Sequence, residues 1–284
     1  MITVLEALNL STDYLNKKGI ESARLNAELM LAHILNCKRL ELYLMFDRPL
    51  DEAELQNYRN FLSRRAQREP LQYIIGEVEF FNIRLKVNRS VLIPRPETEL
   101  LVEKIINDFQ EKNNFRFLDI GVGSGNISIA ILKNIFQANG LAIDISEDAL
   151  ALAKENSALN EVESRISLLK FDFLKDDIKS LGKFDLIISN PPYVSAQDYE
   201  ALEPELKVYE PKIALTDFYN GLTFYKKIIE QSSTLLNENG RIYFELGKGQ
   251  SENVNMMLKE KGFNSIDIIK DYQGIERIVC GELK

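Results

Sequence analysis

Apolar positions in the first seventy residues recur at helical spacing. Val4, Leu5, Leu8 and Leu15 precede a stop at Gly19, Ser22 caps a run through Leu25, Leu29, Ala32 and His33, and Asp51 caps one with Leu55, Tyr58 and Leu62. This predicts a small helical bundle over residues 1–69, ended by Pro70. Over 70–92 the period shortens, and Tyr73 to Gly76 with Phe80, Ile83, Leu85 and Val87 alternates as a short β-hairpin linker would. From 93 to 284 short apolar runs alternate with helical stretches. Strands are predicted at 116–120, 141–145, 166–170, 184–189, 241–246, 265–270 and 277–281, with helices near 126–136, 149–160, 222–236 and 251–261. Such alternation is the sequence form of an α/β domain, a parallel sheet of seven strands with helices on both faces.

With 284 residues, 45% hydrophobic and 27% charged, the chain has the composition of an ordinary globular protein. It has no apolar run of about 18 residues and no secretory start, so a cytoplasmic protein without a membrane partner is expected. Cys37 and Cys280 match no metal or disulfide spacing, and no metal site is expected. The single histidine, His33, sits in a helical stretch and offers no base for catalysis. Net charge is −8, and the acidic excess lies wholly beyond residue 69: residues 1–69 hold 10 acidic and 10 basic side chains. Stable binding to duplex DNA, which needs a basic face, is therefore not expected. Arg59, Arg64, Arg65 and Arg68 form a local basic strip, read either as a contact for RNA or an acidic protein or, as such runs usually are, as a solvated helix face.

In an open parallel sheet, ligands bind beyond the carboxyl ends of the strands. Four consecutive strands end in polar residues suited to that position. The first runs through Asp119 into Gly121-Val122-Gly123-Ser124-Gly125, a loop that allows close backbone approach or simply makes a tight turn. The second ends at Asp144, placed to accept from ribose hydroxyls or to cap the next helix. The third ends at Asp172-Phe173, a carboxylate for an adenine amine beside an aromatic ring, or an ordinary loop acid. The fourth ends in Asn190-Pro191-Pro192-Tyr193. Prolines lack an N–H, so this bracket is rich in acceptors: the Asn190 side-chain oxygen and the Pro191 carbonyl can grip the two hydrogens of a planar NH2, with Tyr193 as a flat wall. A diphosphate would be repelled by Asp119, whereas S-adenosylmethionine carries an ammonium and a sulfonium and no phosphate.

Together these residues resemble the HemK/PrmC class of S-adenosylmethionine-dependent methyltransferases, which modify the glutamine of the Gly-Gly-Gln motif in peptide-chain release factors. The likeness spans nearly the whole chain. It includes Ser22 to Leu29, Pro70 to Ile74, Leu92-Ile93-Pro94-Arg95-Pro96-Glu97-Thr98-Glu99, Asp119 to Gly125, Asp144-Ile145-Ser146, the bracket at Asn190, Glu210-Pro211, Gly221-Leu222, Glu245-Leu246-Gly247 and Gly274 to Arg277. It implies a Rossmann-like class I methyltransferase sheet of strand order 3-2-1-4-5-7-6, an N-terminal bundle that docks the release factor, and S-adenosylmethionine as cofactor. Its implied donor site takes in Val122, Ile145 and Asn190 besides the residues above. Two departures alter local hydrogen bonding: Val122 replaces a threonine, and Asn220 stands where an aspartate commonly precedes Gly221.

An amide nitrogen is a poor nucleophile, so the bracket must orient and polarise it. A DNA adenine methyltransferase would use the same bracket on a flipped base, but the charge distribution disfavours it. Methylation of a ribosomal-protein glutamine is disfavoured by the Ile93 to Glu99 segment. A binding module holding the cofactor without turnover is disfavoured by Asn190 and the three donor positions.

Overall fold

The computed structural model describes residues 2–112 and 114–284. Contacts divide the chain into two units, one made of the residues up to Gly76 with Pro204–Tyr209, the other of Glu77–Glu203 with Glu210–Lys284.

The first unit is helical: α1 (Val4–Lys17), α2 (Ala23–Ile34), α3 (Glu52–Ala66) and α4 (Leu71–Ile75). Thr3 and Asp51 each close a capping box, with Glu6 and Glu54, satisfying N–H groups that a helix start leaves open. Ser22 is a correction. It precedes α2 in the left-handed region, φ 49°, and its side chain makes no capping bond. The buried face of α2 is also rotated from the expected one, with Ala23, Ala27, Met30 and Leu31 inside and Leu25 and His33 exposed. Asn26 and Glu28 are buried too, Glu28 paired with Arg24 and Arg39. Tyr73 to Ile75, expected in the hairpin, belong to α4, which Gly76 ends at φ 84°.

The arginine strip is a solvated face only in part: Arg59 and Arg68 are exposed, whereas Arg64 and Arg65 are drawn into pairs. Arg64 is paired with Glu69 at 2.9 Å. The buried Arg65 donates to Asn26 Oδ1, to the Glu69 carbonyl and to Glu205. Only a short helix returning from later in the chain supplies that last carboxylate.

The second unit opens with a hairpin, β1 (Glu77–Phe80) and β2 (Ile83–Lys86), whose two-residue turn Phe81-Asn82 has both φ positive, as a tight hairpin requires. Then follow α5 (Pro96–Phe109), β3 (Phe115–Ile120), α6 (Asn126–Asn134), β4 (Ala138–Asp144), α7 (Glu147–Leu159), β5 (Ile166–Lys170) and β6 (Phe184–Ser189). Short helices α8 (Ala196–Glu200), α9 (Pro204–Tyr209, which clusters with the first unit) and α10 (Lys212–Leu215) lead to α11 (Thr223–Leu235), β7 (Leu236–Glu245), α12 (Ser251–Lys261), β8 (Phe263–Lys270) and β9 (Glu276–Leu283). The seven-stranded sheet runs β5-β4-β3-β6-β7-β9-β8, with β9 antiparallel to both neighbours. Counted within the sheet, this is the expected order 3-2-1-4-5-7-6.

Successive side chains of a strand point to opposite faces, and both faces are covered. Phe117, Leu186, Ile188 and Tyr243 enter one core with Leu101, Ile105 and Phe109 of α5 and Phe80 and Leu85 of the hairpin. Leu118, Ile187, Ile242 and Phe244 enter the other with Tyr225 and Ile228 of α11 and Val254 and Leu258 of α12. Burying each such side chain contributes about 1.5–3 kcal/mol. Asn156 fixes the hairpin to α7 by accepting from Lys86 N and donating to the Lys86 and Ser124 carbonyls; Asn160 donates to Arg84 O. Asn156 thus ties both the hairpin and the glycine-loop segment to α7.

Candidate active site

Register aligns the four strand ends. Ile120 lies opposite Ile143, Asp119 opposite Ile188, and Asp144 opposite Lys170. One residue beyond each strand, the chain therefore reaches Phe171, Ile145, Gly121 and Asn190 along a single sheet edge. The buried Ser189 hydroxyl donates to the Ile120 carbonyl at 2.7 Å, clamping the ends of β3 and β6 together.

Gly121 and Gly123 take φ +83° and +53° and face open space where a Cβ would stand. Side chains there would be strained and would fill the cradle. Gly125 likewise takes φ +84°, where a side chain would be strained, and a Cβ there would also press on Ile129 Cδ1 at 2.8 Å. Val122 is buried against Ala142 and Ala153, and its N–H donates to the Ile143 carbonyl at 3.0 Å, so its role is to shape the loop. Ser124 is buried, and its carbonyl accepts from Asn156.

Asp119 is 1% exposed. Its Oδ2 accepts from Ser128 at 2.5 Å, while Oδ1 has no hydrogen-bond partner among the described residues. Burial, with the nearby Asp144 charge adding to it, pushes the carboxyl up to about 7 against the Ser128 hydrogen bond. A buried acceptor with no donor is costly, and a ligand ammonium would satisfy it. Asp144 accepts from Gly123 N through Oδ2 and from Ser146 N through Oδ1, at 3.0 and 2.9 Å. Burial raises it, and these N–H groups hold it down. Each carboxylate oxygen keeps a lone pair for a diol.

The third strand end is less open to a ligand than the other three. Asp172 accepts from Leu174 N and pairs with Lys175 at 2.9 Å, and this lysine holds its carboxyl below the usual range. Phe173 is buried in the α11-side core with Phe171, Ile178 and Leu181. Ile145, by contrast, is exposed.

At the fourth end Pro191 is buried, and Asn190, Pro192 and Tyr193 are half-buried. Gln250, at the start of α12, holds the bracket: its Nε2 donates to the Tyr193 and Gly221 carbonyls, and its Oε1 accepts from Gly247 N. A Cβ at Gly221, φ +78°, would stand 2.2 Å from the Tyr193 oxygen. Asp217 pins that turn through the N–H groups of Tyr219, Gly221 and Thr223 and the Thr223 hydroxyl. Asn220 accepts from Leu222 N at 3.1 Å, a bond an aspartate would also make.

Behind the bracket lies a chain of groups that the sequence did not single out. Asn190 Nδ2 donates to Thr98 Oγ1 at 3.4 Å, and Thr98 donates to Glu245 Oε2 at 2.5 Å. The Tyr193 hydroxyl donates to Glu245 Oε1 at 3.4 Å. Glu245 is 1% exposed, and burial pushes it up to about 7 despite Thr98, Arg277 and Tyr193. Thr98 and Glu245 fall within segments that carry the family likeness, but their meeting is a product of the fold. The start of α5 is held by buried Glu210, which accepts from Ile93 N and pairs with Arg95.

Residues 6–76 match the family described as PrmC N-terminal domain, and residues 96–205 the methyltransferase small domain. Among solved structures, a methyltransferase from Pyrococcus furiosus shares the fold, with TM-score 0.52 and 20% identity over 72% of this chain and 90% of that one. A protein of Geobacter sulfurreducens named release factor glutamine methyltransferase is 40% identical, covering 99% of this chain and 97% of its own length. One of the same name from Fusobacterium nucleatum is 39% identical over 98% of this chain and 78% of its own. Likeness of that degree, running through both units, places the chain in the release factor glutamine methyltransferase family.

Proposed function

We infer that this chain transfers a methyl group from S-adenosylmethionine to the side-chain amide nitrogen, N5, of the glutamine in the Gly-Gly-Gln motif of peptide-chain release factors. The observation that carries this reading is the position of Asn190, one residue beyond β6 and beside the glycine loop, with its NH2 turned to Thr98. The Asn190 oxygen is then available to accept from a substrate amide.

The donor supplies an electrophilic methyl: as the N–C bond forms, the C–S electron pair returns to sulfur and a neutral thioether leaves. The residues present fit that donor. Asp119 offers an unpartnered buried oxygen to a cationic group, Asp144 retains acceptor capacity for ribose hydroxyls, and the open backbone at Gly121 and Gly123 admits close approach. The exposed Ile145 is assigned an apolar contact with the adenosyl group, and Asp172 and Phe173 border it through loop position.

On the acceptor side, Asn190 Oδ1 and the Pro191 carbonyl each receive one N–H of the glutamine. Gripping both raises electron density on the nitrogen and aims its lone pair at the methyl, in line with the departing sulfur. Pro191 and Pro192 fix the backbone, and Tyr193 walls the planar amide. Alignment of this kind is worth up to about 7–11 kcal/mol at best. Once methylated, the nitrogen is strongly acidic and releases its proton to water.

We assign release-factor docking to the helical unit, where a groove of about 300 Å³ is lined by Leu10, Tyr14, Leu55, Tyr58 and Arg59. Among the described residues no helix is long and apolar enough to cross a membrane. A cytoplasmic place, beside the translation machinery, suits the substrate; stable DNA binding is not part of this reading. The test is labelled-methyl transfer to purified release factor and to the same factor with the motif glutamine replaced by alanine. Label in the first alone is expected, and equal label in both would refute the assignment.

A further inference from the structure

We propose that Glu245, acting through Thr98, sets which way round the Asn190 carboxamide faces the substrate. The inference rests on the reading that Asn190 Oδ1 accepts from the glutamine amide. A carboxamide has two ends of nearly equal shape, one accepting and one donating. Only the accepting end can hold a substrate NH2, so a reversed Asn190 would present a donor to a donor.

A single hydroxyl hydrogen decides the matter. Ionised Glu245 can only accept, and its Oε2 lies 2.5 Å from Thr98 Oγ1. The Thr98 hydrogen is therefore committed to the carboxylate, and its oxygen is left as an acceptor. The Asn190 side chain meets that oxygen at 3.4 Å with its nitrogen, which points Oδ1 the other way. The far side of Glu245 is set in the same sense, since the Tyr193 hydroxyl donates to Oε1. The Tyr225 hydroxyl fixes the backbone beneath by donating to the Glu245 carbonyl at 2.7 Å. Glu245 is thus a positioning residue with no part in bond making.

Protonation would reverse the chain. A carboxyl O–H can donate to Thr98, which frees the threonine hydrogen for Asn190 and turns the amide around. The charged groups facing Glu245 are Arg277 of β9, which favours the anion, and Glu97 of α5, which opposes it; Tyr193 also faces it. Burial leaves its titration near 7, so the anion and the productive amide orientation predominate above neutrality.

The experiment uses the full chain, release factor and S-adenosylmethionine, with kcat measured from pH 6 to 9 at saturating donor, which confines any titration of Asp119 to donor affinity. The wild type should lose about tenfold in kcat between pH 8 and pH 6, as the fraction with ionised Glu245 falls along a limb near pH 7. Thr98→Val should show the lower rate at every pH, without the limb, while donor Kd and release-factor KM stay within about twofold. Thr98→Ser, which keeps the hydroxyl, should restore both rate and limb. Glu245→Gln should abolish the limb; if that variant fails to fold, the threonine pair decides the question. A Thr98→Val enzyme with wild-type kcat and an intact limb would overturn the proposal, as would a loss confined to KM. Asn190→Ala separates the two levels: wild-type turnover in that variant would remove the underlying reading, whereas its failure beside an unaffected Thr98→Val would remove the Glu245 relay alone.

Discussion

Asp119 and Glu245 are buried carboxylates, and burial pushes the titration of each up to about 7. Folding raises both above the ordinary range near 4, so between about pH 4 and 7 the folded chain keeps protons that the unfolded chain releases. Stability therefore falls as pH rises through that window. Asp119→Asn should relieve part of the fall, about 1–3 kcal/mol in denaturant titrations at pH 5 and 8, while weakening donor binding in calorimetry. An unchanged pH slope would show that Asp119 does not carry it. Asn190→Ala should leave donor affinity intact and cut turnover by about 10²–10³, the usual cost of removing one transition-state hydrogen bond. Asp144→Ala should weaken donor binding by about 1.5–3 kcal/mol, since bonds to a charged group are lost. Many of these residues were legible in the sequence because their types sit at strand ends. The Thr98 to Glu245 link was not, because 147 positions separate its members and only the fold buries them together.

Among the elements, β3, β4, β5 and β6 fix the site, and their apolar runs were readable to within a few residues. The α5 helix was missed although Pro96 stands at its first position, where proline is favoured. Arg95, ahead of Pro96, has extended backbone, and its pairing with Glu210 anchors the helix start. The helices α8 to α10 are too short for periodicity to reveal. Ser22 misled because a serine before a helix usually caps it, whereas here its backbone takes a left-handed turn. The bracket depends on α12 as well as on β6. Gln250→Ala frees two carbonyls and one N–H at once, so the chain should lose about 1–3 kcal/mol of stability, with kcat falling more than donor affinity. Unaltered kinetics would mean that the prolines hold the bracket unaided.

At the scale of the molecule, strand order places residues separated by some seventy positions along one edge, and no local pattern dictates that order. The family likeness implied it, and hydrogen-bonded register bears it out. The helical unit gains a piece of later chain, Pro204–Tyr209, through Arg65 and Glu205 and through Tyr209 and the Gln67 carbonyl. Linear reading could not foresee that return, and so took Arg65 for a surface charge. The central claim is that a donor held at Asp119 and Asp144 and an amide held at Asn190 meet across the β3–β6 edge. Peptide mapping by mass spectrometry of release factor incubated with this protein and S-adenosylmethionine tests it most directly. One added methyl on the glutamine side chain of the Gly-Gly-Gln peptide is the predicted result; a methyl on any other residue, or an unmodified peptide in the presence of active donor, would contradict it.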